Sequence, residues 1–351
     1  MKRRKYIPVL AALLLLGGCM IEPPLHLRQV MNVIVSVIWK AEVYPQGLKP
    51  DGVTLYVFRN DEFYMRQTTS NVDSCRVHLV PGIYQIYVMS QSPEEFWTME
   101  FNNMEDIGNA YIRLNDNSLS WVDQSPDSPL VLNPELLTVG VSDEFEVTEE
   151  MIEDIKNGDY VVDEDAGDGY VRFYTLRVPV TPMSVISQFW VSIYSANSDM
   201  LKSVRASTSG MARTFYITKG VTGDEECTQV ITSWTLDIDD PETKIGHLDG
   251  VITTLGLPRG EMPSVQRDST LNVATLLVDN KTVERYTFFV GNKIALDDPA
   301  PEGYLHRYRL VLGTKENPVI TPSIVEPEET GGGFVAGVSD WDEEVESDIV
   351  I

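Results

Sequence analysis

The feature that most constrains the fold of this chain is a long series of short apolar segments separated by turn residues. Residues 53–58 (VTLYVF) and 185–195 (VISQFWVSIYS) are rich in β-branched and aromatic side chains, which favour strands. Residues 31–39 (MNVIVSVIW) alternate apolar and polar positions in their second half, as a half-buried strand does. The only helix we expect is one turn at 151–156. Regular short strands with so little helix predict an all-β fold of sandwiches rather than a doubly wound sheet.

A second strong local signal is the Pro81-Gly82 pair inside residues 76–90 (RVHLVPGIYQIYVMS). Apolar residues on both sides predict a strand before the pair and another after it. Proline presets the backbone of a turn, and glycine readily takes a positive φ. We therefore predict a hairpin turn here, with φ > 0 at Gly82.

The chain has 351 residues, which is enough for two ordinary domains with a core in each. The acidic, glycine-containing segment 157–169 (NGDYVVDEDAGDG) separates two series of strands, and we interpret it as an interdomain linker. The predicted organisation is an N-terminal β-sandwich domain at 31–165 and a C-terminal β-sandwich domain at 166–330. Residues 331–351 form a glycine-rich and acidic C-terminal tail.

The N-terminal residues have the pattern of an export signal. Four basic residues precede an apolar run at 7–16, which is too short to span a bilayer as a permanent helix. Two glycines stand directly before Cys19, and this resembles the bacterial lipoprotein signal, in which the cysteine is acylated and becomes the new N-terminus. We therefore expect a signal peptide at 1–18, lipidation (palmitate included) at Cys19 and a lipid tether at 19–30. The alternative is an ordinary secretory signal with an incidental cysteine.

Charge restricts the partners that the chain can have. The formal net charge is −26, and removal of the basic signal makes the mature chain more negative still. Such a field repels nucleic acid and anionic lipid head groups. We therefore expect no nucleic-acid partner and a membrane partner held only through the N-terminal lipid. The predicted location is the outer membrane, with the protein exposed at the surface or facing the periplasm.

Recognisable catalytic and metal-binding motifs are missing from the sequence. The histidines are His26, His78, His247 and His306. None of them lies at metal-ligand spacing from another histidine or a cysteine. The Gly-x-Ser-x-Gly, P-loop and Gly-x-Gly-x-x-Gly patterns do not occur. Asp163, Asp165 and Asp168 resemble a calcium loop only loosely, because the order of EF-hand ligands is not met, so a solvated acidic linker is the preferred interpretation. We predict no enzyme activity, no cofactor and no metal site.

Two cysteines remain besides Cys19. Cys75 and Cys227 could pair in an oxidising compartment, but they lie far apart in sequence and in different predicted domains. We expect two unpaired, mostly buried thiols.

Aromatic residues raise a second hypothesis, a glycan-binding surface lipoprotein of a nutrient-uptake system. A sugar-binding patch could be built from Tyr56, Phe58, Tyr84 and Tyr87. Their period-two spacing instead predicts side chains that face a core. The glycan hypothesis therefore needs an exposed aromatic platform elsewhere, and the tryptophans to inspect are Trp97, Trp121 and Trp190.

Three features, in their order along the chain, resemble the fimbrillin-like lipoproteins of Bacteroidetes, a superfamily that includes type V pilus subunits and their anchors. The first is Cys19 in its lipobox, followed closely by the strand at 31–39. The second is the Pro-Gly-x-Tyr segment within 77–88 (VHLVPGIYQIYV). The third is 204–212 (VRASTSGMA), with Gly220 ending the next strand. The resemblance implies two tandem transthyretin-like β-sandwiches and a non-enzymatic role in adhesion or pilus assembly, with other pilus subunits, a host surface or a glycan as partner.

The resemblance also implies a mode of assembly. In such pili a protease removes the first strand, and a strand of a neighbouring subunit fills the groove that opens. The segment 31–39 would be the removable strand. The segment 331–351 is either a donor strand, a terminal edge strand or a passive tail, and we prefer the passive tail. Family members that mature in this way carry an arginine in the loop after the first strand, whereas residues 40–52 contain Lys40 and Lys49 but no arginine. This departure favours an anchor or accessory subunit over a stalk subunit.

We predict that Cys19→Ala moves the protein from the membrane fraction to the soluble fraction. Nothing else in the mature chain is apolar enough to hold it on a membrane, and stable attachment needs more than one acyl chain. Fractionation of cells with a high-salt wash, followed by immunoblotting, measures the change, with Cys75→Ala as the control that keeps the lipobox. Retention of the Cys19→Ala protein in the washed membranes would contradict the prediction.

Overall fold

The fold is described from a computed structural model. The structure describes residues 30–44, 48–122, 125–157, 161–162, 171–172, 175–260, 268–297, 299–327 and 345–350. The predicted signal peptide, residues 19–29 of the predicted tether (Cys19 included), and Asp163, Asp165 and Asp168 lie outside these ranges.

Strands dominate the described part of the chain, which confirms the predicted all-β fold. The strands that precede the predicted domain boundary, or lie beside it, are β1 (Met31–Val37), β2 (Val53–Arg59), β3 (Glu62–Thr69), β4 (Ser74–Leu79), β5 (Gly82–Ser90), β6 (Met99–Asn102), β7 (Tyr111–Leu114), β8 (Thr138–Val141), β9 (Phe145–Val147), β10 (Val161–Val162) and β11 (Val171–Arg172). The α-helix α1 (Glu149–Asn157) is longer than the predicted single turn.

The remaining strands continue to the end of the described chain. They are β12 (Leu176–Val180), β13 (Met183–Ser184), β14 (Ser187–Ser195), β15 (Leu201–Ala212), β16 (Thr214–Tyr216), β17 (Val221–Thr222), β18 (Glu226–Ile231), β19 (Trp234–Asp240), β20 (Ile245–Thr254), β21 (Thr270–Leu277), β22 (Thr282–Phe289), β23 (Ile294–Asp297), β24 (Arg307–Leu312) and β25 (Val345–Val350). Short 3₁₀ turns lie at Pro93–Glu95, Ile107–Asn109, Ser198–Met200 and Pro258–Gly260. Among the described residues, no helix is both long and apolar enough to cross a membrane.

The N-terminal part of the fold is built from two facing sheets. The first-strand sheet has the order β12-β1-β4, and the middle sheet has the order β13-β8-β5-β2-β3 with β9 paired to β5. One face of the middle sheet packs on the first-strand sheet through residues such as Leu55 and Ile86. The opposite face contributes Tyr56 and Met89 to the larger core of the molecule. Because both faces are covered, β2 is buried along nearly its whole length, which explains its continuous run of apolar and aromatic residues.

The aromatic residues that sequence analysis assigned to a core are buried. Tyr56, Phe58 and Tyr87 lie in the larger core, and Tyr84 lies on the opposite face against the first-strand sheet. The core interpretation is therefore confirmed, and these side chains do not form a sugar-binding patch.

The C-terminal part is a second pair of sheets, each with five strands. The β14 sheet has the order β19-β20-β14-β24-β23, and the β15 sheet has the order β18-β15-β21-β22-β25. Their inner faces share one core that contains Phe189, Trp234, Leu271, Tyr286 and Leu310. This arrangement is a sandwich, in which alternate residues of each strand point inward.

A linking sheet, of order β17-β16-β7-β6, joins the two parts. Phe215 of β16 pairs with Ile112 of β7, across the boundary predicted at 165/166. Strands β1 and β8 also pair across it, with β12 and β13. The domain boundary and the transthyretin-like count stay predictions. Strand β10 lies within the segment interpreted as a linker and pairs with β11, which follows that segment.

The Pro81-Gly82 turn differs from the predicted hairpin. Strands do lie on both sides of it, but β4 pairs with β1 while β5 pairs with β2, β8 and β9. The turn is thus a corner between the first-strand sheet and the middle sheet. Gly82 has the predicted positive φ, 159°, close to extended backbone. The stronger constraint is space, because a Cβ there would lie 2.6 Å from Nε of Arg59, and the Nη2 atom of the same guanidinium donates a hydrogen bond to the Pro81 carbonyl.

Tyr84 explains the Pro-Gly-x-Tyr pattern physically. Its ring is buried, and its hydroxyl donates a 2.7 Å hydrogen bond to the Val80 carbonyl four residues upstream. Burial raises the pKa of Tyr84 to about 12, so the hydroxyl keeps its proton at neutral pH. The side chain thereby fixes the corner, as a tyrosine corner does in other sandwiches.

A β-bulge occupies the Ser-Gly-Met-Ala segment in β15. The register between β15 and β18 shifts between Thr208 and Met211, and Gly210 has a φ of 77°. A side chain at position 210 would overlap the Ser269 hydroxyl. Glycine is therefore required both by its backbone conformation and by the approach of Ser269. Sequence analysis noted this segment but did not predict the strand that contains it.

We predict that Gly82→Ala lowers the free energy of unfolding by about 1–3 kcal/mol, because the new Cβ displaces Arg59 from Pro81. Gly52→Ala is the matched control, since a Cβ there meets only the Thr69 carbonyl at an ordinary 3.6 Å. Urea unfolding of both variants measures the difference. Equal stabilities for the two variants would contradict the crowding argument.

We also predict that Tyr84→Phe lowers the free energy of unfolding by about 1–2 kcal/mol, because it leaves the Val80 carbonyl without its partner. Tyr87→Phe should change stability less, since the Tyr87 hydroxyl makes only a 3.3 Å contact with the neighbouring Gln85 side chain. Thermal denaturation of both variants provides the comparison. A larger loss from Tyr87→Phe than from Tyr84→Phe would refute the corner role of Tyr84.

Candidate functional site

The candidate site is the groove between β4 and β12, which we call the first-strand groove and which β1 fills. Strand β1 pairs antiparallel with β4, from Met31 opposite Leu79 to Ser36 opposite Ser74. It also pairs parallel with β12, from Val33 to Val37. The first strand was expected between strands of the first domain; it does lie between two strands, but only β4 belongs to that predicted domain. One wall of the groove comes from β12, which lies beyond the predicted linker.

The inner face of β1 is almost completely buried. Met31, Val33 and Val35 have no exposed surface, and Val37 is 6% exposed. These side chains belong to the core that also contains Val53 of β2 and residues of β5. Complete burial of each such side chain contributes roughly 1.5–3 kcal/mol. The strand thus packs four apolar side chains against the face of the middle sheet.

Both edges of β1 form hydrogen bonds with neighbouring strands. Two ladders of backbone hydrogen bonds flank the strand, and they continue past its end, where the Val37 amide donates to Asp73 at 3.0 Å and the Ile38 amide donates to Val180 at 2.8 Å. Removal of β1 would therefore leave two rows of free backbone donors and acceptors. Such a pair of edges is a template for the addition of another strand.

The loop that follows β1 is held at both ends. The indole of Trp39 donates a hydrogen bond to the Val72 carbonyl at 3.1 Å. Its ring packs edge-on against Tyr44, with 5.2 Å between the ring centres. Lys40 is exposed, whereas Lys49 forms an ion pair with Asp73 at 2.7 Å. Of the two lysines in this loop, Lys40 therefore presents the more accessible position, directly after the strand.

The C-terminal segment contributes a strand rather than only a tail. Strand β25 runs parallel to β22, with Val345 opposite Thr282 and Val350 opposite Thr287. It forms the outer edge of the β15 sheet. For residues 345–350 the preference for a passive tail is corrected, because the free edge of β22 offers hydrogen-bonding groups that a β-branched segment can use.

The chain is tied to β22 before it reaches β25. The Ile320 region bridges to Ser195, and the Ser323 amide donates to the carboxylate of Glu284 at 3.0 Å. Glu284 is buried, and the Tyr286 hydroxyl donates to it at 2.6 Å. Burial is the main cause that raises the pKa of Tyr286, and the hydrogen bond to Glu284 is the second. The hydroxyl therefore stays protonated. These contacts hold Ser323 beside β22, the strand with which β25 also pairs.

The tryptophans proposed for a glycan platform lie on separate elements. Trp97 is 69% exposed in the loop before β6. The guanidinium of Arg205 lies 4.5 Å from the ring centre of Trp121, and that of Arg309 lies 4.7 Å from the ring centre of Trp190. Two of the three rings are thus covered by arginine rather than left open as a flat platform.

Both described cysteines are buried free thiols, which confirms the expectation of unpaired cysteines. Burial raises the pKa of Cys75 to about 11, with a smaller contribution from Asp73. Burial likewise raises the pKa of Cys227. Both thiols are therefore protonated and poorly reactive at neutral pH.

One cluster escaped the sequence analysis. The histidines were compared only with other histidines and cysteines, but His247 lies beside the carboxylates of Asp237, Asp239 and Asp249. The signal was an Asp-x-Asp segment in one strand and a His-x-Asp segment in the next, separated by a short turn. Antiparallel pairing of β19 with β20 places Asp237 opposite His247.

Comparisons with known proteins give one family and a set of similar structures. Residues 25–232 match the profile of DUF5119, described as a domain of unknown function. A comparison with curated proteins gives no significant match. Among solved structures, a candidate adhesin from Bacteroides ovatus ATCC 8483 aligns with a TM-score of 0.50 and 15% identity, over 86% of this chain and 94% of that one.

Two further structures are similar to a lower degree. The fimbrial anchor protein Mfa2 from Porphyromonas gingivalis aligns with a TM-score of 0.44 and 12% identity, over 80% of this chain and 90% of that one. A candidate adhesin from Bacteroides thetaiotaomicron aligns with a TM-score of 0.45 and 11% identity, over 71% of this chain and 79% of that one.

At 15% identity, the similarity to the candidate adhesin from Bacteroides ovatus shows a shared fold, as the resemblance implies. The profile match covers more than half of the sequence. The chain belongs to the DUF5119 family.

Proposed function

We propose that this protein is a non-enzymatic, lipid-anchored component of adhesion or pilus assembly in the bacterial cell envelope. The observation that carries the proposal is the seating of β1 between β4 and β12. A strand that is buried on one face and paired on both edges is the part of the fold that another strand of the same pattern could replace. The candidate adhesin from Bacteroides ovatus, whose fold this chain shares, supports a role in adhesion.

Within such an assembly, the protein acts as an anchor or accessory subunit rather than a stalk subunit. The loop after β1 contains no arginine, so an arginine-specific protease has no site there, and β1 stays in its groove. A subunit with a filled groove cannot accept a strand, but it can still donate one. Strand β25 is suited to donation because it is terminal and lies at a sheet edge, held on one side by β22.

The N-terminal lipid places the protein in the outer membrane. Cys19 lies eleven residues before the first described residue, Val30, and β1 begins directly after that residue. The tether is therefore short, and the first-strand groove lies near the membrane end of the chain. The high negative charge keeps the folded part away from anionic head groups.

We predict that a chain with an open first-strand groove binds one intact chain through β25. The acceptor is a chain truncated at residue 327, so that it has no β25 to donate. A specific protease site is inserted between its Lys40 and Ala41. The protein is folded and cleaved, and the β1 fragment is removed. Mixing with intact chain should give a one-to-one complex, measured by size-exclusion chromatography with light scattering.

Three controls define the outcome. A donor chain that is truncated at residue 327 lacks β25 and should not bind the open acceptor. The uncleaved acceptor should not bind intact chain, because β1 blocks its groove. A synthetic peptide of residues 31–40 should compete with the intact chain for the open groove. If a folded acceptor without β1 binds no intact chain, the strand-exchange role is wrong, and a stand-alone surface lipoprotein remains.

A further inference from the structure

The outer face of the β14 sheet carries a cluster built around one histidine. His247 of β20 lies between Asp237 of β19 and Asp249 of its own strand. Its Nε2 atom is 3.8 Å from a carboxylate oxygen of Asp237 and 3.7 Å from one of Asp249. Both separations are too long for a hydrogen bond, so Nε2 has no hydrogen bond to either of these carboxylates.

The other ring nitrogen is held in place. Nδ1 of His247 lies 3.0 Å from the carboxylate of Asp239. A carboxylate that accepts the Nδ1 proton fixes the neutral tautomer whose free Nε2 lone pair faces the opposite side. In His247 that side is the space between Asp237 and Asp249. This is the arrangement found where a histidine ligates a metal and a carboxylate orients it.

The distances suit a small divalent cation. Zinc binds imidazole nitrogen and carboxylate oxygen at about 2.0–2.2 Å, so two ligand atoms of a tetrahedral ion lie about 3.4 Å apart. The ligand atoms of Asp237, His247 and Asp249 all lie within 4.8 Å of one another. A movement of a few tenths of an ångström would bring Nε2 to this distance from each of its two carboxylates. Asp237 is 71% exposed and can make that movement freely.

The surroundings leave negative charge without full compensation. Oδ1 of Asp249 is buried and has no hydrogen-bond partner in the structure. Lys315 donates a hydrogen bond to the Asp239 backbone carbonyl at 3.4 Å and not to a carboxylate of the cluster. Three carboxylates around one imidazole therefore make a site that a divalent cation would neutralise.

We propose that Asp237, His247 and Asp249 bind a divalent transition-metal ion, with zinc as the preferred occupant, and that Asp239 is the positioning residue for His247. The imidazole ligand favours zinc over calcium and magnesium, which take oxygen ligands. Three protein ligands leave one position of a tetrahedral ion open. That position faces solvent on the outer face of the sheet, where water or a side chain of a partner can occupy it.

The competing explanation is a protonated histidine. Burial acts to lower the pKa of His247, but the hydrogen bond to Asp239 and the charges of Asp239, Asp249 and Asp237 outweigh it, so the pKa lies above its usual value. A protonated ring would form ion pairs with the same carboxylates and bind no metal. The two explanations differ in whether zinc displaces the proton.

The test is a titration of the full chain, purified in detergent and freed of metal with a chelator. Isothermal titration calorimetry with zinc chloride in physiological salt should show one site that is tighter than the general binding of an acidic protein. His247→Gln should weaken this site at least tenfold, and Asp239→Asn should weaken it by about 10–100-fold through loss of orientation. His78→Gln, on an exposed position of β4, is the matched control and should leave it unchanged.

Stability provides a second measurement that does not depend on the calorimetric fit. Saturating zinc should raise the melting temperature of the wild-type and His78→Gln proteins, but not that of Asp237→Asn. Because Asp237 is exposed, misfolding of this variant would not explain its lack of response. Calcium and magnesium at the same concentration should have a smaller effect. If the wild-type and His247→Gln proteins bind zinc equally, or if no one-site binding is found, the proposal is wrong and the cluster is an ion-pair network.

Discussion

Strand β1 closes the N-terminal part of the molecule by pairing on both edges while its inner face fills the core. Both flanking strands, β4 and β12, depend on it for their inner hydrogen bonds. The middle sheet depends on it too, because Met31, Val33, Val35 and Val37 cover Val53, Leu55 and their neighbours. This strand follows directly after the predicted lipid tether.

The middle sheet depends on β1 on one of its two faces only. Its outer face packs in the larger core, where the linking sheet joins it to the C-terminal sandwich. That core contains strands from both parts of the molecule and does not include the inner face of β1. Loss of β1 would therefore expose the first-strand groove while the larger core keeps most of its contacts. From this division we expect that the protein remains a folded acceptor when β1 is removed.

Local sequence signals predicted much of the fold. Alternation and β-branched composition located strands such as β1, β2 and β14, because side chains that alternate between core and solvent leave a period of two. The burial of Tyr56 and Phe58 followed from the same rule. Strand β15 was missed because buried polar residues, such as Arg205 and Thr208, interrupt its apolar pattern.

Long-range pairing could not be predicted from local signals. The Pro81-Gly82 turn indicates a reversal of the chain, but it does not say whether the two strands join one sheet or two. Here the Tyr84 hydroxyl and the Arg59 side chain donate hydrogen bonds to carbonyls of the turn and hold it as a corner between two sheets. The cluster around His247 was missed for a related reason, since its members meet only through the register of β19 and β20. The lipidation of Cys19 stays a prediction from its motif.

The most direct test of the account is hydrogen exchange of the protein before and after β1 is cleaved from the chain and removed. The account predicts that the amides of β4 and β12 that face β1 lose protection, while those of β14 and β21 in the larger core stay protected. That result would show a groove that opens in an otherwise folded molecule. Loss of protection throughout the chain would contradict the account, because β1 would then be required for the whole fold and could not be exchanged for another strand.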